Sequence, residues 1–234
     1  MKVEIRKIIF IALIFCFTGS SAQYIKPYFN KFSIENGLPE GYVASSIQDK
    51  LGFMWFGTQN GLVRYDGYRL KPYSIPDDKG NPLIYCSVQL LHEDRKGKLW
   101  AFVDKEGLFS LDRQKDAFIK IITDTADVNL FKDYYFYKWV EDRNGDTHWF
   151  LAVDFNNNFK PCLLSFDPLQ NKFERYESTG KGNLFVPTYE NADLIQDSAG
   201  KIWLAADSLV SYFDNESRSF KTWFVVPDST NKIR

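Results

Sequence analysis

Histidine, cysteine and any excess of one charge are what this sequence has least of. Its 234 residues include two histidines and three cysteines, and 29 Lys and Arg stand against 30 Asp and Glu, a formal net charge of -1. Two histidines leave little room for a His-based metal centre, and three cysteines cannot build a dense disulfide scaffold. Near-neutral charge argues against a general affinity for nucleic acid phosphates or an anionic membrane surface. What the chain does have is apolar material, 44% hydrophobic with 17% aromatic, enough for a folded core.

Residues 1–22 read as an export signal. Lys2, Arg6 and Lys7 give a positive start, Ile8 to Phe17 an apolar run, and Ser20-Ser21-Ala22 small residues before a cut at Gln23. The run is too short to span a bilayer as a helix, and no longer apolar stretch follows. Cys16 follows the bulky Phe15 where a lipid-attachment site needs a small residue, so cleavage is favoured over lipidation. Cys86 and Cys162 fall in different repeat units and are expected to be buried thiols.

Residues 23–234 repeat one pattern four times. Asp49, Gly52 and Trp55 recur as Asp94, Gly97 and Trp100, as Asp142, Gly145 and Trp149, and as Asp197, Gly200 and Trp203. The third copy is one residue longer between Asp and Trp. An apolar strand precedes each Asp. After each Trp come a polar hairpin, a third strand ending in Tyr65-Asp66, Leu111-Asp112, Phe166-Asp167 or Phe213-Asp214, and a fourth strand. Asp accepts nearby backbone N–H groups and Gly takes the positive φ of a tight turn, so the Asp-x-x-Gly step is structural. Four short antiparallel strands per unit, repeated at about 45 to 50 residues, predict an all-β protein of β-propeller blades. The blades fall at about 43–73, 87–121, 136–176 and 191–224.

Phe32-Ser33-Ile34-Glu35-Asn36-Gly37-Leu38-Pro39, followed by Ile47 to Tyr68 with its Asp49-Lys50-Leu51-Gly52-Phe53-Met54-Trp55-Phe56-Gly57-Thr58 core, resembles the opening of the two-component regulator propeller family. These are the exported sensory regions of hybrid histidine kinases of Bacteroidota. The similarity extends to about residue 224 and is most specific in the first blade; later blades keep Asp, Gly and Trp but lose the Gly-Thr step. The resemblance implies a periplasmic sensor of a small ligand, often an oligosaccharide. In the family, more propeller, a β-sandwich, a membrane helix and cytoplasmic kinase and response-regulator modules follow. The chain carries no kinase motif, so it is expected to be no enzyme by itself. It is expected to be the N-terminal part of a longer propeller, working with those propeller, β-sandwich and kinase modules as partners. Strand counting points the same way: Tyr28 to Ile34 reads as a seventeenth strand, spare beside sixteen. Unsealed outer faces would favour pairing, including a homodimer.

Blade geometry sets the Asp-x-x-Gly turns at one end and the hairpins and between-blade loops at the other. On that second end Tyr85, Tyr134, Tyr135 and Tyr189 are candidates to stack on a ligand, with Asp104, Asn156 and Asn157 to bond its hydroxyls. No cofactor, metal or nucleic acid is expected. Asp142 to Asp146 faintly resembles a calcium loop but occupies a turn that noncalcium sequences fill in the other copies, and His92 and His148 read as structural. Two rival readings stand beside the sensor. One is a secreted propeller that serves as a protein-interaction platform without a small ligand. The other is a propeller lyase or hydrolase, for which Asp104 and Asp154 in neighbouring hairpins are the carboxylate pair.

Overall fold

A computed structural model describes residues 29–121, 127–156, 160–176, 192–206, 209–214, 216–217 and 219–225. The chain divides into two compact units, residues 1–31 and 32–234. The described part of the first, Phe29 to Lys31, is exposed coil, and the proposed export signal lies outside the described residues. Asn157 and Tyr189 lie outside them too.

The second unit contains four four-stranded sheets, each an antiparallel meander in chain order. The first is β1 (Val43–Gln48), β2 (Met54–Thr58), β3 (Gly61–Tyr65) and β4 (Leu70–Tyr73); the second is β5 (Val88–Glu93), β6 (Leu99–Val103), β7 (Gly107–Asp112) and β8 (Ala117–Lys120). The third is β9 (Tyr134–Glu141), β10 (His148–Asp154), β11 (Lys160–Asp167) and β12 (Lys172–Tyr176); the fourth is β13 (Asp193–Gln196), β14 (Ile202–Ala206), β15 (Leu209–Asp214) and β16 (Ser219–Val225). The first strands lie against one another in succession, β1 on β5, β5 on β9 and β9 on β13.

One side-chain device explains why Asp and Trp recur together. Asp49 Oδ1 accepts the N–H groups of Leu51 and Phe53, both at 3.0 Å, while its Oδ2 accepts the Trp55 indole N–H at 3.0 Å. Asp94 Oδ2 accepts Trp100 Nε1 at 2.9 Å and Asp197 Oδ2 accepts Trp203 Nε1 at 2.7 Å. These bonds, the indole of Trp203 first, hold the Asp197 carboxyl below its ordinary pKa. The turn glycines Gly52, Gly97, Gly145 and Gly200 have φ between 72° and 88°, which a side chain would strain. The carboxylate thus closes the turn and pins the large ring that the next sheet covers.

Three buried clusters join consecutive sheets. Trp55, Tyr73, Val88 and Phe118 fill the first seam, and Trp100, Phe102, Phe136, Phe150 and Phe166 the second. Trp149, Leu151, Leu204 and Phe213 fill the third. Gly57 explains the Gly-Thr step of the first blade: a Cβ there would lie 2.8 Å from both Cγ1 and the carbonyl oxygen of Val88. Polar staples reinforce the stack at the turn end. The backbone N–H of Lys50 donates to Glu93 Oε2 at 2.7 Å, and that of Arg95 donates to both Glu141 oxygens at 3.0 Å. Where the first and fourth sheets carry Gln48 and Gln196 in place of those glutamates, the amides turn back to the carbonyls of Gly52 and Gly200.

Two features depart from the sequence reading. The expected extra strand is not formed over the described residues 29–34. Instead Ser33 to Leu38 close on themselves: the N–H groups of Asn36 and Leu38 reach Ser33 O, and a 3-10 turn at Ile34–Asn36 ends on Gly37 at φ 105°. Phe32 packs on Tyr65 and Phe56, with ring centroids at 4.7 and 5.8 Å, so this segment is held by side-chain burial rather than by a ladder. The second departure is a short helix, α1 (Asp127–Asp133), where a loop was expected.

Candidate functional site

The sheets place five of the candidate residues at the end opposite the Asp-x-x-Gly turns. Tyr85 leads into β5 and is 84% exposed. Asp104 opens the β6–β7 hairpin, where its N–H donates to Ser87 O at 2.8 Å, and the next residue, Lys105, takes φ 62°. Burial pushes the Asp104 carboxyl above the usual carboxylate range, against the opposing pull of Lys105 and of a hydrogen bond from Gln89. Gln89 is itself buried, with its Oε1 unpartnered.

In the third sheet Tyr134 and Tyr135 begin β9, and Asn156 follows β10. Tyr134 is packed rather than displayed: it is 4% exposed, its hydroxyl donates to Asp154 Oδ2 at 2.9 Å, and the Arg175 guanidinium lies 5.1 Å over its ring. Burial, then Asp154, pushes its phenol up. Asp154 is buried as well, with Arg175 Nη2 at 3.5 Å, and its Oδ1 accepts the Asn156 N–H at 2.9 Å. Tyr135 stays half-buried, 6.4 Å from the exposed ring of Phe155. The Phe155 N–H donates to Asp133 O at 2.9 Å, tying this hairpin to α1.

Helix α1 packs on the neighbouring hairpin because Gly107 leaves room. With φ 101° and no side chain, Gly107 lets the Phe131 ring come so close that a Cβ would stand 2.7 Å from Phe131 Cδ2. Phe131 also meets Phe102 and Phe173, with centroids at 5.9 and 5.4 Å. The end of the second and third sheets that carries Asp104, Tyr135 and Asn156 is therefore braced from below. Sequence reading missed Gln89 and Arg175 as neighbours of the candidates. No local motif marks them, and pairing does not either: Arg175 stands opposite Leu164 of β11, which pairs with Phe150 rather than Asp154, so the long side chain reaches along the sheet to its partners.

The rival carboxylates separate in role. Asp154 is committed to Tyr134 and Arg175, while Asp104 is the half-buried acid of the end. Among the described residues no group of three or more His, Cys, Asp or Glu is placed to hold a metal ion. Asp142 Oδ1 is taken by the Asp146 N–H at 2.9 Å, as a turn residue. The two histidines lie in the second seam near the turn end. His92 stacks on Trp139 at 5.0 Å and stands 5.7 Å from His148, whose Nδ1 accepts the Trp139 indole N–H at 3.1 Å. The Cys86 and Cys162 thiols are buried, and burial pushes Cys86 up to about 12.

No protein-family model matches the chain. A stretch of 73 residues is 36% identical to histidine kinase P4 of Formosa agariphila, covering 30% of this chain and 5% of that protein. The extracellular domain of the hybrid two-component system BT3049 from B. thetaiotaomicron is 17% identical and covers 85% of this chain and 32% of that one, with a TM-score of 0.48. PorZ, a surface component of the type-IX secretion system of Porphyromonas gingivalis, is 16% identical over 80% of this chain and 28% of its own, with a TM-score of 0.55. The chain thus spans less than a third of each of these proteins. The similarity to PorZ is one of fold, in accord with the propeller-like series of sheets. Among the described residues no helix is long and apolar enough to cross a membrane.

Proposed function

We propose that the chain is the blade-repeat part of a periplasmic sensor in a hybrid two-component system, and that it recognises a small ligand such as an oligosaccharide at the loop end of its sheets. Placement supports the reading: Asp104, Tyr135 and Asn156, from consecutive blades, share the end opposite the structural turns with Tyr85. Aromatic faces and hydroxyl-bonding groups in one place are what sugar rings need. The 36% identity to a histidine kinase supports the signalling part of the reading.

The chain does no chemistry of its own in this reading and signals through further blades, a β-sandwich and a kinase. Tyr42 and Val43 at the first sheet, 59% and 37% exposed, and Ile195 and Trp223 on the fourth, 54% and 67% exposed, are apolar side chains that neighbouring modules would cover.

Thermal melting against an oligosaccharide panel tests it. A true ligand raises the melting temperature saturably, since binding to the folded state stabilises it by mass action. The shift should vanish in Asp104→Asn and Tyr135→Ala while their unliganded melting stays near wild type. A panel without any shift for the wild-type chain overturns the small-ligand reading and leaves the interaction platform in its place.

A further inference from the structure

Three of the four blades repeat one arrangement at their turn end, and the third blade departs from it. In the first, the Arg64 guanidinium lies over Phe53, Trp55 and Tyr73 at 4.4, 5.8 and 5.6 Å. In the second, the Lys98 ammonium lies 4.0 Å over Trp100, and in the fourth that of Lys201 lies 5.9 Å over Trp203 and 4.2 Å over Tyr212. Each cation comes from one of two positions, the residue two before the tryptophan or its partner across the next strand. Register identifies both in the third blade: Trp149 pairs with Ser165 as Trp55 pairs with Arg64, and Thr147 stands two residues before Trp149. Both are short, and among the described residues no cation lies over Trp149.

The space so vacated is a cavity of about 360 Å³. Its aromatic wall is Trp149, Tyr176 and Phe213, whose ring centroids are 4.9 to 5.6 Å apart. Glu174 and Asp167 contribute carboxylates to its lining and Lys172 an ammonium. The Tyr176 hydroxyl donates to Glu174 Oε2 at 3.0 Å and lies 3.2 Å from Ser165 Oγ, which orients the acid at the mouth of the vacated position. The extra residue between Asp142 and Trp149 has a second effect: the indole–carboxylate bond that the other three copies make is not made here among the described residues.

We propose that this cavity binds an organic cation, an alkylammonium or guanidinium group, in the place that the chain fills with its own Arg64 or Lys98 in the first two seams. The negative faces of aromatic rings attract a cation most when it is partly desolvated, and the carboxylates supply its hydrogen-bond partners. The site lies between the third and fourth sheets at the turn end, away from Asp104 and Tyr135, so it stands or falls independently of the ligand reading above.

Calorimetric titration with agmatine, with the capped peptide Gly-Arg-Gly, and with N-butylurea as an uncharged control tests it. Saturable binding of agmatine or of the peptide, with none of the urea, is the expected result; agmatine alone marks a free small cation, and the peptide marks an arginine side chain. Ser165→Arg should refill the cavity as Arg64 does, abolish that binding and melt no lower than wild type. Glu174→Gln, which keeps the shape, should weaken binding at least fivefold. Absence of binding by both cations, equal binding of the urea, or binding unchanged in both variants overturns the proposal.

Discussion

Acid should destabilise this protein through one imidazole. His148 is 1% exposed, its Nδ1 is occupied by the Trp139 indole N–H, and its Nε2 is buried without an acceptor. A proton added there would have no partner and would face His92, while Asp94 and Asp142 give only partial compensation; Lys98 opposes it further. Burial first, then His92, lowers the folded pKa from 6.5 to about 4. A depressed histidine contributes stability that is present above the unfolded pKa and lost as pH falls toward the folded one. The loss works out at about 2 kcal/mol between pH 7.5 and pH 5, and about 3 kcal/mol by pH 4. Urea denaturation of wild type and His148→Asn at both pH values isolates it, because the asparagine Oδ1 can stand where Nδ1 does and accept from Trp139 but cannot titrate. His92 is lowered too, chiefly by burial, so the variant retains some acid sensitivity. The difference between the two proteins should be about 2 kcal/mol at pH 5. Parallel loss of stability in both would refute the assignment to His148.

Two further outcomes follow from packing. Gly107→Ala forces a side chain into φ 101° and into the Phe131 ring, so it should cost about 2 to 4 kcal/mol and loosen α1 from the hairpin, readable by denaturation and by faster amide exchange around 104–107 and 127–133. Cys86, with its thiol pushed up to about 12 by burial, should resist a thiol reagent at pH 8 in the folded protein and react at once in denaturant; rapid labelling of the native chain would contradict the burial.

The blades were legible because their signature is local. Asp, Gly and Trp sit within seven or eight residues of one another, and a turn plus one indole bond ties them together, so each copy announces itself. The indole bond is what composition and turn propensity leave unexplained about the Asp. Helix α1 was not legible, since seven residues are too few to show a helical stripe and its anchor is a gap left by Gly107, distant in sequence. The strand expected at residues 28–34 is not formed over the described residues 29–34 for a related reason: the mix of aromatic and polar residues gave no sign that Phe32 would dock on Tyr65 and that Ser33 would start a turn. At the loop end, burial separated Tyr134 from Tyr135, which adjacent identical residues cannot reveal. The cavity beside Trp149 is readable only by setting the blades against one another, where Thr147 and Ser165 stand opposite Phe53 and Arg64.

The staples from Lys50 to Glu93 and from Arg95 to Glu141 tie the first unit to the second and the second to the third. Such a molecule behaves as a linear array of coupled elements, in which the free energy is close to a sum of unit and nearest-neighbour contributions. Among the four described sheets the second and third, each packed between two neighbours, should then be the last to exchange their amide hydrogens.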